Sequence, residues 1–135
     1  GDHVVRVPVP GQVELGGGWL LTSERIKMSE ANQQRLKGCD DPWQVWMDAD
    51  ALEMPLRVRT RRAGDRFKPY GMNGRSTSLK EYYINIKLSR RARQGWPVVC
   101  SDVETAWIPG YRVAHPYRLR VETEEVIHLH LCRQV

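Results

Sequence analysis

Residues 56–61 read Leu-Arg-Val-Arg-Thr-Arg, an unbroken alternation of apolar or hydroxyl side chains with arginine. Successive side chains of a strand point to opposite faces. Leu56, Val58 and Thr60 therefore share one face, and Arg57, Arg59 and Arg61 share the other at a spacing of about 7 Å. Three guanidiniums cannot be buried without partners. The segment has to be a strand with one side in a core and the other turned to water, acids or phosphates.

Much of the remaining chain has the same short, punctuated layout. Val4–Pro10 is extended and broken by proline, and Gln12–Leu15 and Trp19–Ile26 predict strands joined by a hairpin at Gly16-Gly17-Gly18. The triplet is no phosphate cradle, because no Lys-Ser/Thr follows it and a strand, not a helix, comes next. Residues 27–42 offer only Ala31 and Leu36 to a core and predict a surface loop with one helical turn after Ser29. Trp43–Asp48 predicts a strand. Asp48 and Asp50 after it are read as closing that strand and capping a turn, in preference to holding a metal. Segments 97–101, 103–108, 119–123 and 126–132 predict further strands. In the last, Ile127, Leu129 and Leu131 face a core, while His128 and His130 are expected at the surface.

Two helices are expected. Ser78-Leu79-Lys80-Glu81 is a capping box, and Leu79, Tyr82, Tyr83 and Ile86 then form an apolar stripe with Lys80 and Lys87 on the polar side. Ser89 is placed to cap a shorter helix carrying Arg90, Arg91 and Arg93, stopped by Gly95 and Pro97. The architecture expected is α+β: a mostly antiparallel or mixed β-sheet with one principal amphipathic helix and a second short helix packed on it.

The chain has 135 residues, 41% of them hydrophobic and 27% charged, which fits a single folded domain, 1–135. No apolar run is long enough to span a membrane, and Gly1-Asp2-His3 lacks the layout of a signal peptide. Three scattered cysteines, Cys39, Cys100 and Cys132, suit neither a disulfide framework nor a zinc site, so a cytoplasmic location is expected. A start on Gly instead of Met suggests a piece of a longer protein.

Charge is the chain's most uneven property. From Arg57 to Arg93 there are nine arginines and three lysines against only Asp65 and Glu81, a local charge of +10 in a chain whose total is +5. Arginine suits bidentate contact with phosphate, and a segregated patch of this size favours a polyanionic partner. Asp65, the lone acid in the loop 62–74, is expected to hold a neighbouring arginine or cap loop amides. Familiar catalytic motifs are missing: no nucleotide loop, no Gly-x-Ser-x-Gly elbow, no Cys-x-x-Cys and no His-Glu-x-x-His. A Cys100/His115 pair has no local support, and a metal enzyme built on Asp48 and Asp50 is the least favoured reading. A binding module without catalytic groups fits the residues better.

Arg59 to Met72 with its Gly64-Asp65-Arg66-Phe67 block, Ser78 to Lys87, Arg93 to Pro97 and Trp107 to Arg112 together resemble the C-terminal domain of tRNA(Ile)-lysidine synthetase. The match is best over 56–112 and weaker over 8–50. The resemblance implies a parent ligase that joins lysine to the wobble cytidine of an isoleucine tRNA. ATP and magnesium would be used in an N-terminal domain, and no cofactor in this fragment. It implies that this part grips the acceptor stem of that tRNA and contacts other domains of the parent. Arg59, Arg66, Lys80, Lys87, Arg93 and Arg112 are candidate RNA contacts on both the resemblance and charge, and Arg57, Arg61, Arg90 and Arg91 on charge alone. The alternative is a protein-docking module whose basic face binds acidic surfaces of partner domains.

Overall fold

Glycine and proline cut the chain into short elements, and ten strands and three α-helices form among the described residues. The structure is a computed structural model describing residues 3–134; Gly1-Asp2, read above for a signal peptide, lies outside the described residues. One four-stranded sheet has the order β1 (Val5–Val7), β5 (Leu56–Arg59), β8 (Val98–Cys100), β9 (Thr105–Trp107). A second has the order β2 (Gly11–Gly16), β3 (Trp19–Lys27), β10 (Glu125–Arg133), β4 (Gln44–Asp48). A two-stranded ribbon pairs β6 (Arg66–Phe67) with β7 (Thr77–Ser78). Every strand pairing is antiparallel, so the α+β expectation holds.

The alternation in β5 does what its chemistry requires: Leu56 and Val58 are buried, while Arg57 and Arg59 lie on the other face. One core cluster joins them to Val98 and Val99 of β8, to Leu21, Val45, Met47, Ile127, Leu129 and Leu131 of the second sheet, and to Leu79, Tyr82 and Tyr83. Each fully buried aliphatic side chain contributes about 1.5–3 kcal/mol. The three from the last group belong to α2 (Leu79–Asn85), whose Ser78 side chain accepts the Glu81 amide at 3.0 Å. The shorter α3 (Arg90–Gly95) starts likewise, with Ser89 accepting the Ala92 amide at 3.2 Å.

Three expectations are corrected. Residues 27–42 hold a full helix, α1 (Glu30–Lys37), not a loop with one turn. Ser29 caps it, Glu30 sits in its first turn and Arg35 and Lys37 in its last, so caps and dipole support a helix of which no residue is buried. Residues 119–123 form no strand: the Thr123 hydroxyl accepts the Arg120 amide and its own amide returns to the Arg120 carbonyl, closing a turn. His128 is not a surface residue. It lies on a central strand, only 7% exposed, with Glu24 opposite on β3 and Trp46 opposite on β4. Its ring stacks on Trp46 at 4.3 Å and reaches Glu24 at 2.8 Å and Gln44 at 2.7 Å, and burial pushes its pKa down against the pull of Glu24.

The predicted hairpin at Gly16-Gly17-Gly18 is present, as is the turn function of the aspartates: Asp48 accepts the Asp50 amide at 2.9 Å and the Arg120 guanidinium at 3.1 Å. At Pro109-Gly110 the Tyr111 amide closes onto Ile108 at 2.9 Å with Gly110 at φ 85°, a type II turn. A side chain there would be strained, and its Cβ would meet the Trp43 ring at 3.2 Å. Gly110→Ala is expected to cost about 1–3 kcal/mol, read as a lower urea midpoint at unchanged m.

Candidate nucleic-acid interface

The basic face is built outward from one carboxylate. Asp65 accepts both arms of the Arg59 guanidinium, at 2.7 and 3.0 Å, and the Arg62 amide at 2.7 Å. Its backbone carbonyl accepts the Leu79 amide at 2.8 Å, so the same residue ties β5 and the following loop to the start of α2. Burial works against ionisation of Asp65, but these donors outweigh it and hold the carboxyl below its ordinary range. The expected holding and capping tasks of Asp65 are both met.

The ten candidate residues separate by what their side chains already do. Arg59 has only 16% of its side chain exposed and is engaged with Asp65 and the Thr60 carbonyl. Arg93 is half-buried and donates to the Leu88 carbonyl at 2.7 Å, bracing the join between the two helices. Arg57 pairs with Asp102 at 3.3 Å in a solvent-exposed contact of small energetic weight. Arg66, Lys80, Lys87, Arg90, Arg91 and Arg112 are exposed, and Arg61 is half-exposed.

Several of these come together. Arg57, Arg59 and Arg66, with Arg62, line a polar groove of about 410 Å³ that also holds Asp65, Asp102 and Glu104. Arg66 sits opposite Ser78 in the ribbon, two residues before Lys80. The charge of Arg61 acts on the Tyr83 hydroxyl and that of Arg112 on Tyr82, each working against the rise that burial imposes. Burial dominates there and pushes the Tyr82 phenol up to about 12, so neither tyrosine ionises near neutrality.

Lys87 holds an unusual backbone position. It follows α2 with φ 60°, and the Leu88 amide returns to the Tyr83 carbonyl at 2.9 Å, a Schellman closure whose left-handed residue is ordinarily glycine. The groove's Arg62 was counted in the sequence charge but not singled out, because nothing local marks it. A second concavity, about 460 Å³, is mainly apolar and walled by Trp19, Trp43 and Trp96. Trp43 lies between the other two at 5.5 and 6.0 Å, with Arg133 over Trp19 and Tyr111 beside Trp96. These rings pack on one another as an extension of the core.

The family model described as the TilS substrate C-terminal domain matches residues 56–129, the stretch that carries β5, the groove loop, α2 and α3. The chain belongs to this family. A crystal structure titled TILS C-terminal domain superposes with a TM-score of 0.81 at 26% identity, covering 100% of this chain and 99% of that one. The tRNA(Ile)-lysidine synthase of Symbiobacterium thermophilum is 35% identical over 109 residues, which is 81% of this chain and 22% of that protein. That of Geobacillus kaustophilus is 37% identical over 107 residues, 78% of this chain and 22% of the relative. That of Dehalococcoides mccartyi is 36% identical over 127 residues, 89% and 26% respectively. The chain thus spans roughly a fifth to a quarter of the curated relatives it matches. No helix among the described residues is long and apolar enough to cross a membrane.

Proposed function

We propose that this domain grips the acceptor stem of an isoleucine tRNA on behalf of a lysidine synthase, whose other domains carry the ATP-dependent ligation. The observation that carries the reading is the set of exposed cations that the fold leaves to solvent, Arg66 on the ribbon, Lys80, Lys87, Arg90 and Arg91 on or next to the two helices and Arg112 in the turn after β9, while the Arg59–Asp65 pair is bound internally. An A-form stem presents phosphates and 2′-hydroxyls, and its base edges lie in a deep, narrow groove. Guanidinium and ammonium groups on short, well-capped helices suit the backbone of such a stem and give little sequence discrimination. In this reading Arg59 and Arg93 shape the surface, and the exposed residues make the phosphate contacts.

Binding of isoleucine tRNA measured across a salt series tests this. Log affinity should fall linearly with log salt, with a slope of magnitude about 4–6 if most of the exposed cations reach phosphates. A slope near zero rejects the reading. The docking alternative predicts instead that partner-domain binding persists in excess tRNA.

A further inference from the structure

Of the chain's eleven aromatic residues, five Trp, five Tyr and one Phe, all among the described residues, Tyr70 is the most exposed, with 48% of its surface in solvent. It is not loosely placed. Its amide donates to the Val113 carbonyl at 2.9 Å, and Pro69 before it bridges to Ala114. The loop that follows is fixed by left-handed residues at Gly71, Asn73 and Gly74 and closed by the Arg75 amide on the Met72 carbonyl at 3.0 Å. Asn73 adopts this conformation at a steric cost that glycine would not incur. The Tyr70 ring lies nearly parallel to His115, with centroids 6.5 Å apart and planes 23° apart. His115 in turn lies against Gly74, where a Cβ would stand 3.4 Å from the imidazole. Met72 beside it is 42% exposed, and Arg75 is exposed. The loop is joined to the basic face by the Arg66 guanidinium, which donates to Ser76 at 2.8 Å.

An exposed aromatic ring stacked on a histidine, on a loop that also exposes a polarisable methionine and an arginine, matches a nucleobase: the ring takes the π-face, the guanidinium the adjoining phosphate. Within a stem, base faces are covered by their neighbours. They are available only at its end. We propose that Tyr70, backed by His115 and on the same exposed loop as Met72 and Arg75, stacks on a nucleobase at the open end of the tRNA acceptor helix, either the terminal base pair or the first unpaired nucleotide. This rests on the acceptor-stem reading above and adds where on the stem the domain sits.

The test uses this chain and three RNA helices of the acceptor-stem sequence: one with its unpaired 3′ nucleotides, one blunt, and one whose end is closed by a loop. Tyr70→Ala should weaken binding to the open-ended helices about tenfold, within the range expected for one stacked base. Tyr70→Phe should stay within about twofold of the parent, since the ring and not the hydroxyl acts. The closed helix should bind both variants as it binds the parent, and the salt slope should not change. Loss on the tailed helix alone identifies the unpaired nucleotide, and equal loss on tailed and blunt helices identifies the terminal pair. In the unaltered protein, 2-aminopurine at the stacked position should be quenched on binding, a readout that does not depend on how the variants fold. Equal weakening for open and closed helices, no weakening, or unquenched 2-aminopurine at both end positions overturns the inference while leaving stem binding intact. Failure of the parent to bind any of the three overturns the acceptor-stem reading itself.

Discussion

Replacing Asp65 with alanine should destabilise the domain by about 3–5 kcal/mol, the cost of removing the carboxylate that both arms of a largely buried guanidinium meet. Arg59 and Asp65 keep only 16% and 14% of their side chains in solvent, so water cannot take over the lost bonds cheaply. The Arg62 amide loses its acceptor in the same step. Asp65→Asn should cost less, about 2–3 kcal/mol, because the side-chain carbonyl still serves one donor. Arg59→Glu should be at least as damaging as Asp65→Ala, since two carboxylates would face each other over the bond now made at 2.7 Å. Chemical unfolding monitored by tryptophan fluorescence measures all three. The pH dependence carries a further signature. Asp65 ionises below its ordinary value in the folded state, so its contribution is complete above the unfolded-state pKa of about 3.9 and is lost as pH falls through the lower folded-state value. Asp65→Asn should therefore flatten the acid limb of the stability curve, leaving the part due to Glu24 and Asp41, which are also lowered.

This clamp illustrates how far the sequence could be read. Asp65 stands six residues from Arg59 and alone among bases, so a partner close by in sequence was the natural expectation, and the local caps at Ser78 and Ser89 were legible for the same reason. The strand face of Leu56 and Val58 followed from alternation alone. What local pattern could not convey was coverage by distant residues. His128 is enclosed by Glu24, Gln44 and Trp46, which lie more than eighty residues earlier in the chain, so its place in the His-x-His pair says nothing about burial. The same limit applied to the basic residues. Arg59 and Arg66 look equivalent in the sequence, but one meets Asp65 with both arms and the other sits exposed on the ribbon beside Ser76. Charge counting locates a cationic segment; only packing decides which of its cations are left for a partner.

Neutralising Lys80, Arg90 and Arg91 together, as Lys80→Gln, Arg90→Gln and Arg91→Gln, should lower tRNA affinity about a hundredfold near physiological salt and reduce the salt slope by about three. All three are exposed, so the melting temperature should barely move. If anything it should rise, because Arg90 and Arg91 occupy the first turn of α3, where positive charge opposes the helix dipole and no acid compensates it. Lys87→Gly separates fold from function more sharply. Glycine is the natural occupant of the left-handed position at φ 60°, so the change should leave the Schellman closure intact and stabilise the domain by about 0.5–1 kcal/mol. Affinity for tRNA should nevertheless fall severalfold, and the salt slope by about one, if the lysine reaches a phosphate. A variant that unfolds later yet binds less tightly would mean that the strained backbone at Lys87 is tolerated for the charge it presents. If stability rises and binding is unchanged, Lys87 makes no phosphate contact, and the turn between α2 and α3 lies outside the tRNA footprint.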